Sequence, residues 1–138
     1  MSLPELGNSS SITSAENTTA EAFSLSASLT EMQVIAKRLR RHIISMTGKA
    51  GSGHPGGSLS AVEILTTLYF KQLRHKPKDP QWSDRDRFIL SKGHAAPLLY
   101  AILAECGYFP VDELPTPRQL ESRLQGHTDR TVTPGLEM

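Results

Sequence analysis

The chain has 138 residues, enough for one domain with a buried core, and its 15 Lys plus Arg against 14 Asp plus Glu leave a net charge of +1. So even a balance calls for neither nucleic acid nor membrane as partner, and no apolar run approaches the length needed to cross a bilayer. The single cysteine, Cys106, excludes an internal disulfide framework and a cysteine-built zinc site, which suits a reducing compartment.

Residues 1–28 are rich in Ser, Thr, Asn and Ala, and no Lys or Arg precedes Lys37. This stretch has too little apolar surface to offset its ordering entropy and reads as a disordered tail, leaving 29–138 as the folded part. It has neither the basic start and apolar block of a secretory signal nor the arginines of a transit peptide, so a cytoplasmic protein is expected. The first helix is predicted over 29–47. There Met32, Ile35, Ala36, Leu39, Ile43 and Met46 recur at helical spacing, with Lys37, Arg38, Arg40 and Arg41 mostly off that stripe. Ser28 with Glu31, or Thr30 with Gln33, can form a capping box at its start, and Gly48 and Gly51 end it.

"GSGHPGGS" (51–58) follows as a loop, after which Ser60 with Glu63 offers a capping box for a second helix. In that helix Ala61, Val62, Ile64, Leu65, Leu68, Tyr69 and Phe70 are apolar almost all round, which implies burial on several sides. "RHKPKDPQWSDRDR" is a solvated loop by its prolines and charges. "RFILS" (87–91) is a short apolar run between polar residues, predicted as a buried strand. A tight "SKGH" turn and a helix from about Pro97, closed by Gly107 and carrying Cys106 as a small buried hydrophobe, complete two parts of a βαβ unit. Thr116-Pro117 with Gln119 predicts one more short helix to about Leu124, and the remainder reads as loop.

One strand among several helices leaves backbone groups unpaired on both its sides. The fold class is therefore α/β, a parallel sheet flanked by helices, helix-rich in this chain and with its sheet completed by another chain or by further sequence.

Three of the five histidines directly follow a glycine: His54 after Gly53, His94 after Gly93 and His127 after Gly126. A linker needs the glycines without the imidazoles, and a core histidine needs neither. His94 lies between a strand and a helix, where helix N-termini present unpaired N–H groups to anions, and Gly93 lets the backbone come close. His54 sits where Pro55 stiffens the chain and could exchange protons or bond hydroxyls near neutral pH, although a mobile loop histidine fits as well. His127 has the least local support. A zinc site built from all three has no matching ligand spacing. His42 and His75 read as surface residues.

Taken in order, "SGHPGGSLS", "DRDRFILSKGHAAPLLYA", "GYF", "RLQGHTD" and "TPGLEM" resemble the N-terminal part of transketolases, in the form divided into N- and C-terminal polypeptides. The likeness runs from about Leu29 to Met138. It implies the leading part of a thiamine-diphosphate-binding fold and transfer of a two-carbon ketol unit between sugar phosphates, with magnesium beside the cofactor. By resemblance His94, with Gly93, contacts the diphosphate; His54 lies over the reacting carbons; and His127 faces the substrate, with Thr128 where the family usually has proline. The family's metal-binding "GDG" motif and the glutamate that activates the aminopyrimidine are not in this sequence, so no metal ligand is assigned here. A C-terminal transketolase half or subunit is the implied partner, in an oligomer, and the lone chain is expected to be inactive. Two alternatives stand beside this: a non-catalytic relic or interaction module, and another thiamine enzyme such as a deoxyxylulose-phosphate synthase.

Overall fold

The structure, a computed structural model, describes residues 27–138, so all but the last two residues of the expected tail lie outside the described residues. Four α-helices organise it: α1 (Leu29–Ala50), α2 (Pro55–Leu59), α3 (Val62–Thr67) and α4 (Ala96–Cys106). α1 starts at a capping box in which Glu31 N–H donates to Ser28 Oγ at 3.3 Å and Ser28 N–H donates to the Glu31 carboxylate at 2.7 Å. It stops at Gly51, whose left-handed φ of 60° suits glycine at a helix end. The stripe Ile35, Ala36, Leu39, Ile43 and Met46 is buried and faces α2, α3 and α4.

α4 is the hub. Every residue in it except Pro97 and Glu105 is buried, so it meets neighbours on all sides, each large side chain contributing about 1.5–3 kcal/mol of burial. Glu105 is mostly covered as well, and it receives Arg38 at 2.8 Å and His42 at 2.9 Å from α1, which locks the two helices in register. His42 is thus a half-buried bridging residue, not a surface one.

The glycine-rich loop holds more helix than its composition suggests. Pro55, tolerated in a first turn because its missing N–H would be unpaired there anyway, opens α2. Ser60 closes this helix, its hydroxyl donating to Gly57 C=O at 3.1 Å, and α3 starts at Ala61 with no side-chain cap. Ile64 is 62% exposed, so α3 is buried on fewer sides than its apolar content implies. α3 runs into a π-helical turn, Leu68–Gln72, in which Leu73 N–H reaches back to Leu68 C=O at 2.8 Å. The Tyr69 carbonyl in that turn accepts a hydrogen bond from His75 Nε2 at 2.8 Å. His75, expected at the surface, is consequently 4% exposed.

Two expected elements take another form. Among the described residues there is no strand, and residues 87–91 donate no backbone hydrogen bond. They keep the alternation of a strand: Phe88 and Leu90 pack against the core while Ile89 is 58% exposed. Periodicity reports which side chains are covered, whereas a strand also needs a neighbour for its ladder, and among the described residues none stands beside this segment. The helix expected over 116–124 is replaced by turns. Thr116 Oγ1 donates to Glu113 C=O at 2.8 Å instead of capping, and Arg118 and Glu121 take left-handed φ values of 63° and 65° that a helix forbids. The nearest regular piece is a 3-10 turn at Val111–Glu113.

The final thirty residues wrap back over the helices, bringing Phe109, Leu114, Leu124 and Leu136 into the core. Glu137 is held between Arg85 and Arg87, the latter at 3.1 Å. No helix among the described residues is long and apolar enough to cross a membrane.

Candidate functional site

Three chain segments converge at one end of α4: residues 51–54 after α1, the 3-10 turn Gly93–Ala95 that leads into α4, and the turns around 117–127. Each carries one glycine-histidine pair. Between them lies a cavity of about 240 Å³ whose lining includes His54, His94 and His127. The rings of His54 and His94 stand edge-to-face with centroids 6.5 Å apart. All three imidazoles are solvent-exposed and therefore available to a ligand.

Glycine is what allows the segments to meet so closely. A Cβ on Gly93 would lie 3.3 Å from His127 Cδ2, and one on Gly57 would lie 3.2 Å from Lys92 Cε and 3.3 Å from His94 Cδ2. A Cβ on Gly126 would lie 3.2 Å from Arg118 Nε. The two imidazoles are thus seated on backbone from a different segment, and Arg118 on a glycine of its own, at distances that ordinary residues would widen.

Hydrogen bonds fix the surroundings. Lys92 Nζ donates to Gly57 C=O at 3.0 Å and to Ser60 Oγ at 3.3 Å, joining the turn before α4 to α2. Tyr100 on α4 donates its O–H to Gln125 C=O at 2.9 Å, which secures the segment before His127. Burial pushes the Tyr100 phenol up to about 12, with Asp129 adding to the effect, so it remains a neutral donor. Arg118 donates from a terminal nitrogen to Ser52 Oγ at 2.9 Å and bridges the first and third segments.

The described lining holds no Asp or Glu, and Arg118 is its one side chain with a fixed positive charge. Imidazoles, a guanidinium and small hydroxyls form a donor-rich surface suited to phosphate oxygens and sugar hydroxyls. Among the described residues no group of three or more His, Cys, Asp or Glu is placed to hold a metal ion. The three sequence-selected histidines thus share one cavity, and Gly93 backs one of them. Arg118, Ser52, Tyr100 and Lys92 did not stand out in the sequence. Lys92 could have been found from its place beside Gly93-His94, whereas nothing local marks Arg118, whose guanidinium meets Ser52 from a distant segment.

A family model described as transketolase, thiamine diphosphate binding domain, matches residues 31–138. The chain is 44% identical over 108 residues to the 6-deoxy-6-sulfo-D-fructose transketolase subunit SqwG of Clostridium sp. (strain MSTE9), covering 78% of this chain and 39% of that protein. It is 46% identical over 109 residues to an apulose-4-phosphate transketolase subunit from Actinobacillus succinogenes, covering 78% of this chain and 40% of that one. A solved transketolase variant from Pichia stipitis superimposes with a TM-score of 0.74 at 40% identity, covering 78% of this chain and 16% of the other. The chain therefore spans well under half the length of these relatives.

Proposed function

From the premise that the chain belongs to the transketolase family, in its thiamine diphosphate binding domain, we propose that it contributes one face of a ketol-transfer site working on sugar phosphates. The observation that carries this is the convergence of three imidazoles, two of them seated on glycines, on one carboxylate-free cavity. A C-terminal transketolase chain or further sequence supplies the rest of the site, the completing strands beside 87–91 and the assembly into an oligomer, and the protein works in the cytoplasm.

The donor set fits thiamine diphosphate. His94, in the turn that enters α4, can donate to a diphosphate oxygen where the first-turn N–H groups and the helix dipole favour negative charge, and Gly93 keeps the backbone low beside it. When bound, this cofactor supplies the electron sink for carbon–carbon bond cleavage. The described residues do not fit magnesium in the same way, because this hard cation prefers oxygen ligands and no carboxylate lines the cavity. Its ligands belong to the sequence or partner outside this face.

His54 and His127 serve the sugar. An exposed imidazole can donate to a hydroxyl or carbonyl oxygen and can carry a proton, and we assign the catalytic role to His54, whose ring stands beside that of His94. The second reading, a non-catalytic docking module, is favoured by the unpaired backbone of 87–91 and the exposed Ile89.

Reconstitution separates the two. With a C-terminal chain of a divided transketolase, thiamine diphosphate and magnesium, the complex should transfer a ketol unit while the lone chain does not. His54→Ala should lower its kcat by about 100-fold or more, and His94→Ala should weaken thiamine diphosphate binding by about tenfold, read by calorimetry. A complex that forms yet neither turns over nor binds the cofactor through His94 makes this chain a docking module.

A further inference from the structure

α2 is five residues long and includes Gly56 and Gly57, so neither length nor propensity keeps it helical, and its position depends on what other segments hold it. Its first residue, Pro55, follows His54 directly, and the His54 side chain makes no capping hydrogen bond of its own. Wherever α2 sits, the His54 backbone goes with it. Among the described residues, Lys92 is the one side chain from elsewhere in the chain that hydrogen-bonds to this helix or to Ser60, which closes it. Its ammonium donates to Gly57 C=O at 3.0 Å and to Ser60 Oγ at 3.3 Å, and the Ser60 hydroxyl donates to the same carbonyl at 3.1 Å. A charged donor thus closes a triangle with two α2 oxygens, a stronger clamp than a neutral pair would make.

The other end of the clamp bears on His94. Lys92 leads into the turn Gly93–Ala95, and its C=O accepts from Ala95 N–H at 2.9 Å, so its backbone moves with that turn. Gly57 is the seat of both side chains, since a Cβ there would lie 3.2 Å from Lys92 Cε and 3.3 Å from His94 Cδ2. Lys92 itself does not line the cavity. It reaches the chemistry only through the residues it holds.

We propose that Lys92 is a positioning residue that sets the spacing between His54 and His94, whose ring centroids stand 6.5 Å apart, and with it the spacing between reacting sugar and cofactor. For the roles of the two histidines this rests on the ketol-transfer reading. Each imidazole keeps its own donors when the clamp is lost, so each ligand still binds. Transfer of a carbon unit needs both ligands in register, so turnover falls where binding does not.

The test compares Lys92→Met, which keeps an apolar stem and loses the donors, with Lys92→Arg and Ser60→Ala. Lys92 and Ser60 are exposed, so these replacements leave the core intact. By NMR on the full chain, Lys92→Met should shift the ring signals of His54 and His94. Those of His42, paired with Glu105, and of His75, beside Tyr108, should stay in place. In the complex with a C-terminal chain of a divided transketolase, Lys92→Met should lower kcat by about tenfold or more, while KM for xylulose 5-phosphate and Kd for thiamine diphosphate stay within about twofold. Ser60→Ala should fall between, and adding it to Lys92→Met should cost nothing further, because both act on one clamp. Lys92→Arg, which restores a charged donor, should regain most of the rate. Unmoved His54 and His94 rings, an unchanged kcat in Lys92→Met, or a KM or Kd that rises as far as kcat falls overturns the proposal. Failure of the ketol-transfer reading looks different: the complex then has no turnover to lose, while the two rings still shift in Lys92→Met.

Discussion

At Gly135 the backbone has φ 86°, and a Cβ there would lie 2.7 Å from Tyr108 Cδ1 and 2.9 Å from Leu103 Cδ2. Neither neighbour can retreat easily, since Leu103 is buried in α4 and Tyr108 pairs its O–H with His75 Nδ1 at 3.2 Å. Gly135→Ala should therefore lower stability by about 2–4 kcal/mol, combining overpacking with a strained backbone, and urea unfolding should show it as a lower midpoint with unchanged slope. At this scale the sequence discloses residue types that are odd in their setting, such as imidazoles in glycine-rich loops. It does not disclose that Gly93 faces His127, because thirty-odd residues and a whole helix separate them. Arg118 was hidden for the same reason: a guanidinium in a polar loop looks solvated until the fold shows what it rests on.

The π-helical turn after α3 has its own consequence. By presenting the Tyr69 carbonyl to His75 Nε2, it fixes the proton on that nitrogen and leaves Nδ1 to accept from Tyr108 O–H. Burial holds the His75 imidazole below its ordinary value of 6.5, against smaller opposing effects from the Tyr69 hydrogen bond and Asp86. The folded chain thus prefers neutral His75, so its contribution is complete above 6.5 and is lost as pH falls through that value towards the lowered native one. Urea midpoints should therefore drop as pH falls below 6.5, and His75→Gln should flatten that slope. The carboxylates lowered by their partners, Asp86 beside Arg74 and Glu137 between Arg85 and Arg87, act only at more acid pH. α1 was legible because spacing, box and terminal glycine all agreed. The 116–124 segment had a plausible start and no apolar stripe to hold a helix together, and His75 sat among charges that masked its contact with a carbonyl six residues earlier.

At the scale of the molecule, the described helices form a core around α4 while 87–91 seats alternate side chains against that core and, among the described residues, leaves its amides unbonded. Amide hydrogen exchange should be fast at 87–91 in the lone chain, and docking of a partner that supplies neighbouring strands should slow it by orders of magnitude. Continued fast exchange in a catalytically competent complex would show that no ladder forms there. Sequence alone could identify this segment as apolar and extended, since that is a property of its own residues. Whether it is a strand depends on atoms that belong to something else. The cavity at the start of α4 is different in kind, because its parts regulate one another's spacing. A single methyl group added at Gly57, Gly93 or Gly126 would nudge one chosen ring or guanidinium by tenths of an ångström without altering its chemistry. The surface can thus be recalibrated for a longer or shorter ligand while every one of its donors is kept.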